Sequence, residues 1–314
     1  MANYDAKNKL GLGLYHFDPR WDSFENFNEI VDRGYFNSFI LASEIGTCSG
    51  AAQKIREIGG QIWLGTSPYF SAKETLSEYM KKIDKRITAL KERDAFDRVV
   101  GFHWDEPLLH KPHTNEDFLT MTRALHEEYG LRIFPVFSGY ETTGRKGNWN
   151  DPEGMLVLED FATPYITDYG FDSYGYDFRK STQAQLGRFK TLQEQYPEIH
   201  STESYYHYYL YTLKNRIQNK KARMWVFPCA YTVYTWGGFV CDEDYCIAHL
   251  KGLTDILLAD DRPGGIFGYT YKTWRQSEPG MDIHLAADNP QRWTRYEEAL
   301  RETYDRIKDI EIQE

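Results

Sequence analysis

Short apolar runs alternate with longer amphipathic segments from one end of the chain to the other, the sequence form of strand–helix units repeated around a parallel sheet. Eight such units are readable. The predicted strands are LGLGLYHF (10–17), NSFILASE (37–44), QIWLGTSPYF (61–70), VVGFHWDEP (99–107), RIFPVFSGYE (132–141), FDSYGYDF (171–178), RMWVFPCAYT (223–232) and GGIFGYTYKTW (264–274). Ser23 is placed to cap FENFNEIVDRG, which Gly34 ends, and AAQKIREIGG and the charged stretch 73–93 carry helical apolar spacing. Pro107 removes a ladder donor and stops the fourth strand. Helices are predicted in NEDFLTMTRALHEEYG, TQAQLGRFKTLQEQYP, DEDYCIAHLKGLTDILLADD and PQRWTRYEEALRETYDRIKDI. The expected fold is α/β, a single (β/α)8 TIM barrel over 1–314. It carries an extended polar loop after strand 5 (TTGRKGNWNDPEG) and an extra helix, 205–221, before strand 7.

Composition narrows the classes. Hydrophobic residues make 41% of the 314 and charged residues 27%, a balance that can bury one large core. Asp and Glu number 47 against 37 Lys and Arg, for a net charge of −10, and no dense basic run is present to neutralise phosphates. Nucleic acid and anionic membrane are therefore not expected partners. No apolar run reaches the roughly 20 residues of a membrane helix, and MANYDAKNKLGLG lacks the segments of a signal peptide. The chain reads as cytoplasmic, or as secreted if a leader has been removed. Cys48, Cys229, Cys241 and Cys246 have neither metal-site spacing nor disulfide density and are expected to be free thiols.

The unusual number is 16% aromatic, with 24 Tyr and 8 Trp, crowded near the predicted strand ends. Aromatic faces stack on sugar rings and tyrosine adds a hydroxyl, while large rings also fill a barrel; both uses are expected here. In βα barrels the reacting residues come from the C-terminal ends of several strands. At those ends stand His16 and Asp18, Glu44, Ser67 and Tyr69, Asp105 and Glu106, Tyr140 and Glu141, and Tyr174, Tyr176 and Asp177. The later strands add Tyr231, Tyr234, Trp236, Tyr269, Tyr271 and Trp274. The set is carboxylates and aromatics, with no GxxxxGK[ST] loop and no GxSxG elbow. Neither a cofactor nor a metal is expected: no His-x-His lies on the first strand, no HExxH lies on a helix, and His103 reads as a hydrogen-bonded barrel residue.

The sharpest feature is Trp104-Asp105-Glu106-Pro107. Two adjacent carboxylates beside apolar neighbours raise the proton affinity of one of them. A protonated Glu suits a glycosidic leaving oxygen, and an ionised Asp beside it suits a developing cation. A surface helix cap is the bland counterpart, and the strand-end position favours function.

This motif after a barrel strand resembles two groups of glycoside hydrolases. A large clan of retaining barrel glycosidases carries Asn-Glu-Pro here and a nucleophilic Glu at the end of strand 7. This chain has Asp105 in place of the Asn, and CAYTVYTWGG holds no carboxylate before Asp242. The β-N-acetylhexosaminidase-like barrels, with an adjacent Asp-Glu at strand 4, are more similar. That resemblance implies a route in which the substrate's 2-acetamido oxygen attacks, Asp105 orients it, and Glu106 is acid then base. It also implies that Tyr and Trp residues of later strands wall the sugar pocket. His103-Trp104 stands where many hexosaminidases carry glycines, and their accessory sandwich domain has no counterpart.

The expected function is thus a glycoside hydrolase acting on a glycan or glycoconjugate, with Asp105 and Glu106 catalytic. His16, Glu44, Tyr69, Tyr140, Tyr174, Tyr176, Asp177, Tyr231, Trp236, Tyr269 and Trp274 are expected to contact the carbohydrate. Three alternatives stay open. One is a two-carboxylate glycosidase in which Asp172, Asp177, Glu141, Glu44 or Glu203 faces Glu106. Another is a metal-dependent sugar isomerase. The third is a silent glycan-binding barrel with Trp149, Trp236 and Trp274 as platforms. The run Tyr205-Tyr206-His207-Tyr208-Tyr209, if helical, cannot face one side and is expected to pack rather than react.

Overall fold

Eight parallel strands hydrogen-bond in a closed ring. They belong to a computed structural model that describes residues 5–17, 24–41, 45–66, 74–109, 114–143, 156–172, 202–234, 240–271, 273 and 279–313. In chain order the strands are β1 (Gly11–Phe17), β2 (Ser38–Leu41), β3 (Gln61–Gly65), β4 (Val99–Asp105), β5 (Arg132–Phe137), β6 (Asp168–Phe171), β7 (Arg223–Val226) and β10 (Pro263–Gly268). Each pairs with its sequence neighbour and β10 closes on β1, so the expected (β/α)8 barrel is observed. A two-stranded antiparallel ribbon, β8 (Val233–Tyr234) with β9 (Val240–Cys241), follows β7. The helices around the ring are α1 (Phe24–Asp32), α2 (Ile45–Glu57), α3 (Leu76–Glu92), α4 (Asn115–Tyr129), α5 (Gly139–Thr143), α6 (Thr202–Arg216), α7 (Glu243–Ala259), α8 (Met281–His284) and α9 (Thr294–Ile307). None of the described helices is long and apolar enough to cross a membrane.

Predicted boundaries shift at several strands; the fourth ends at Asp105 rather than 107 and the eighth at Gly268 rather than 274. The sixth strand is Asp168–Phe171, beginning three residues before the expected 171, with Asp168 a buried strand residue paired with arginines of both neighbouring strands; 173–178 lie outside the described residues. The fifth ends at Phe137, and Tyr140 and Glu141 begin α5 instead. The seventh ends at Val226, well before 232. The helix read as extra before strand 7 is α6, which packs on β6 and on its helical neighbours as a member of the ring. The 182–197 helix and most of the loop after β5 fall outside the described residues.

The ring is filled from the inside by alternate side chains. Leu10, just before β1, and Leu12 and Leu14 on it join the outer core while Tyr15 joins the inner cluster. At the N-terminal floor Arg132 and Arg223 flank Asp168: Arg132 Nε donates to it at 2.8 Å, Trp225 Nε1 at 2.9 Å, and Arg223 Nε lies 3.2 Å away. Burial alone would raise the Asp168 carboxyl, but the two guanidinium groups overcome it and hold the carboxyl below its ordinary value. Above this sits a layer of Trp63, Phe134, Trp225 and Phe267, with the Trp225 and Phe267 rings stacked 5.0 Å apart. Gly264 and Gly265 make room for it, since a Cβ there would stand 2.3 and 2.4 Å from the Trp225 ring. The next layer is Tyr15, His103, Phe227 and Tyr269, with Tyr15 edge-on to His103 at 5.1 Å. Such ring pairs each contribute about 0.5–1.5 kcal/mol beyond their buried area.

The tyrosine-rich run lies on α6 and behaves as expected. Tyr205, Tyr206 and Tyr209 are buried against Phe171, the last stacked at 4.5 Å, while His207 is exposed.

Asp168→Asn leaves two arginines facing a neutral amide, each 16% exposed, and is expected to cost roughly 3 kcal/mol, the lower end for a broken buried pair. Because the folded carboxyl lies below its unfolded value of about 3.9, this stabilisation is present above that pH and is lost as pH falls through the folded value. Urea unfolding of both proteins at neutral pH checks it; a loss under about 1 kcal/mol would contradict the paired floor.

Candidate active site

Parallel pairing carries every strand's C-terminal end to one mouth, and β4 delivers Asp105 and Glu106 there, both half-buried. Glu106 stands in a left-handed conformation with φ of +41°. A side chain at such a φ costs of order 1–3 kcal/mol, and a following proline biases the residue before it toward φ near about −120°. The turn is held by other contacts: Glu106 N donates to Val136 O at 2.9 Å, and Leu109 N donates to Glu106 O at 3.2 Å. Backbone strain of this kind concentrates where a side chain must point in a direction the relaxed strand would not give it.

Beneath the turn lies Glu141, fully buried on α5. Its Oε1 accepts from Leu108 N at 2.6 Å and Leu109 N at 3.1 Å; its Oε2 accepts from Ser138 N at 2.8 Å and Ser138 Oγ at 3.1 Å. Burial first, and the Glu106 charge second, push its carboxyl up to about 8, against the pull of those donors.

Across the mouth, Tyr15 of β1 is 1% exposed and its phenol interacts electrostatically with Asp105. Burial, then the charges of Asp105 and Asp172, hold this phenol well above its ordinary value, so it stays a neutral donor. Asp172 follows β6, half-buried, its N donating to Phe137 O at 3.2 Å. Tyr269 lies 5.0 Å from Tyr15 ring to ring, and Tyr231 lies 5.6 Å from Tyr269, both half-buried. The Tyr269–Thr270 peptide is cis.

Of the residues expected from sequence, Asp105, Glu106, Tyr231 and Tyr269 are therefore brought to one mouth. Tyr271 is not; it is fully buried and packs edge-on to Phe27 in the outer core. His16 lies on β1 and Tyr140 on α5, but their side chains, like all of Glu44, Tyr69, Tyr174, Tyr176, Asp177, Trp236 and Trp274, are outside the described residues. Sequence reasoning missed Tyr15. The signal was available: Leu10, Leu12 and Leu14 set the outward phase of β1, which turns Tyr15 inward. Cys229, Cys241 and Cys246 are buried and are in no disulfide among the described residues.

No family model matches the sequence, and no curated protein matches it. Among solved structures, the chain is similar to the β-glucuronidase of Ruminococcus gnavus, at 11% identity and TM-score 0.58 over 98% of this chain and 51% of that one. This chain thus spans about half the length of that protein. It is also similar to xylanase 10B from Thermotoga maritima, at 11% identity and TM-score 0.54 over 96% of this chain and 97% of that one. An endo-β-1,3-glucanase from Sorangium cellulosum gives 11% and 0.54 over 93% and 97%. At such identity the likeness establishes the barrel fold, and the three neighbours are themselves glycosidases.

Glu141 supplies a pH test. Its folded carboxyl is raised, so its contribution to stability is complete below the unfolded value of about 4.3 and is lost as pH rises through about 8. The unfolding midpoint of the wild type is expected to fall relative to that of Glu141→Gln over this window; parallel curves would contradict the raised carboxyl.

Proposed function

We propose that this chain is a glycoside hydrolase that cleaves a glycosidic bond in a glycan or glycoconjugate, with Glu106 as general acid/base and Asp105 as its orienting carboxylate. The observation that carries the reading is the placement of both at the barrel mouth, with Glu106 in a left-handed turn and two further carboxyls, Glu141 and Asp172, nearby. Crowding like charges in a half-buried site favours a protonated carboxyl, which is what the leaving oxygen requires.

In the substrate-assisted route, Glu106 gives its proton to the glycosidic oxygen as the C1–O bond breaks. The 2-acetamido oxygen forms the new bond to C1, and Asp105, which interacts electrostatically with Tyr15, stabilises the charge on the acetamido nitrogen. Glu106 then takes a proton from water as the water oxygen attacks C1 and restores the acetamido group. Tyr269 and Tyr231 offer ring faces and hydroxyls to the sugar. The side chain of His16 and the loop residues Glu44, Tyr69, Tyr140, Tyr174, Tyr176, Asp177, Trp236 and Trp274 complete the proposed carbohydrate contacts.

A second reading has one specific support: Asp172 follows β6, two strands from β4 in the ring, and its charge, like that of Asp105, acts on Tyr15. With Asp172 as the second carboxylate, no 2-acetamido group is required. A separation from Glu106 of about 5 Å would then give retention, and one of roughly 6.5–9.5 Å inversion.

Turnover of a panel of chromogenic N-acetylhexosaminides and simple hexosides by the wild type and by Glu106→Gln tests the proposal. Cleavage of 2-acetamido sugars alone, reduced about 10²–10⁴-fold by the substitution, is the expected result. Cleavage of simple hexosides moves the assignment to the Asp172 route. Unchanged turnover in Glu106→Gln overturns the role of Glu106, and binding with no turnover of any glycoside points to a silent barrel.

A further inference from the structure

Glu141 does two separable things with its two carboxyl oxygens. Ser138 precedes α5 and Glu141 is three residues on, so Oε2 with Ser138 N and Oγ is an ordinary helix-start arrangement, like Thr114 with Asp117 at the start of α4. Local capping accounts for that oxygen alone. Oε1 reaches across to a different βα unit and takes the amides of Leu108 and Leu109, residues that directly follow the strained Glu106-Pro107 step. Leu109 N is shared between Glu141 Oε1 and Glu106 O, and Leu108 is itself fully buried. A caps-only glutamate at a helix start gains nothing from complete burial beside another acid, which carries a desolvation cost.

We propose that Glu141 is a positioning residue for Glu106: its Oε1 clamps the 108–109 amides and so fixes the left-handed turn that aims the Glu106 carboxyl into the mouth. The catalytic consequence rests on the hydrolase reading of Glu106; the clamp does not. Misplacing a reacting group by about 1 Å can cost on the order of 10²-fold in rate while leaving substrate binding intact, so the clamp acts on kcat. The other titratable groups named at the mouth, Asp105, Asp172, Tyr15 and Tyr269, are untouched by the substitution.

The experiment pairs amide hydrogen exchange with kinetics on wild type, Glu141→Ala, Glu141→Gln and Ser138→Ala. Glu141→Ala is expected to speed exchange of the Leu108 and Leu109 amides by at least about tenfold and to lower kcat about 10²-fold, with KM within about twofold. Glu141→Gln keeps an acceptor for those amides and is expected to retain their protection and most of kcat. Ser138→Ala is expected to leave the two amides protected. Should the alanine variant not fold, Glu141→Asp replaces it: aspartate caps in this position at Asp117, but its shorter reach withdraws from Leu108 and Leu109. Unchanged exchange in the Ala or Asp variant overturns the clamp, as does an equal loss of protection in Ser138→Ala. Lost protection in a protein whose wild type turns over no glycoside upholds the clamp and removes the hydrolase reading instead.

Discussion

A closed ring of eight strands must fill its own interior, and here that filling is aromatic. Trp63, Phe134, Trp225 and Phe267 occupy the middle of the barrel, above a floor where Arg132 and Arg223 neutralise the buried Asp168. A packed middle leaves no pore, so polar chemistry is confined to the mouth, where Tyr15 and Tyr269 cap the aromatic column and Asp105, Glu106 and Asp172 begin. The apolar layers also withdraw water from beneath those carboxyls. That withdrawal is why burial is the first cause of the displaced ionisation at Tyr15.

The mouth is a site of mutual constraint between acids. Glu106 sits in a conformation that an isolated strand end would not hold, and Glu141 is a carboxyl in a place where a charge is costly. Neither is explained by stability alone. Together they describe a turn at the barrel mouth whose backbone is fixed by hydrogen bonds.

The ring was legible because its signal is periodic and redundant: repeated apolar runs separated by amphipathic segments leave little choice of architecture. Boundaries were less so. Asp168 went unread because its two arginine partners lie 36 and 55 positions away, and no local pattern announces them. Asp105 and Glu106 were legible from their chemistry and from Pro107. Tyr15 was passed over for His16 because a one-residue choice of phase exchanges the inside of a strand for the outside. The division of labour at Glu141 was not legible: the sequence shows the Ser138–Glu141 spacing, while the contact with Leu108 and Leu109 depends on how two neighbouring units meet.

The central claim is that Glu106 hands a proton to the departing glycosidic oxygen. The most direct measurement is kcat/KM for a series of glycosides whose leaving groups differ in basicity, on wild type and Glu106→Gln. The account predicts that the loss in the variant grows with leaving-group basicity and nearly vanishes for the most acidic phenols, which depart without a proton. A loss that is the same for every leaving group, or absent, would contradict it.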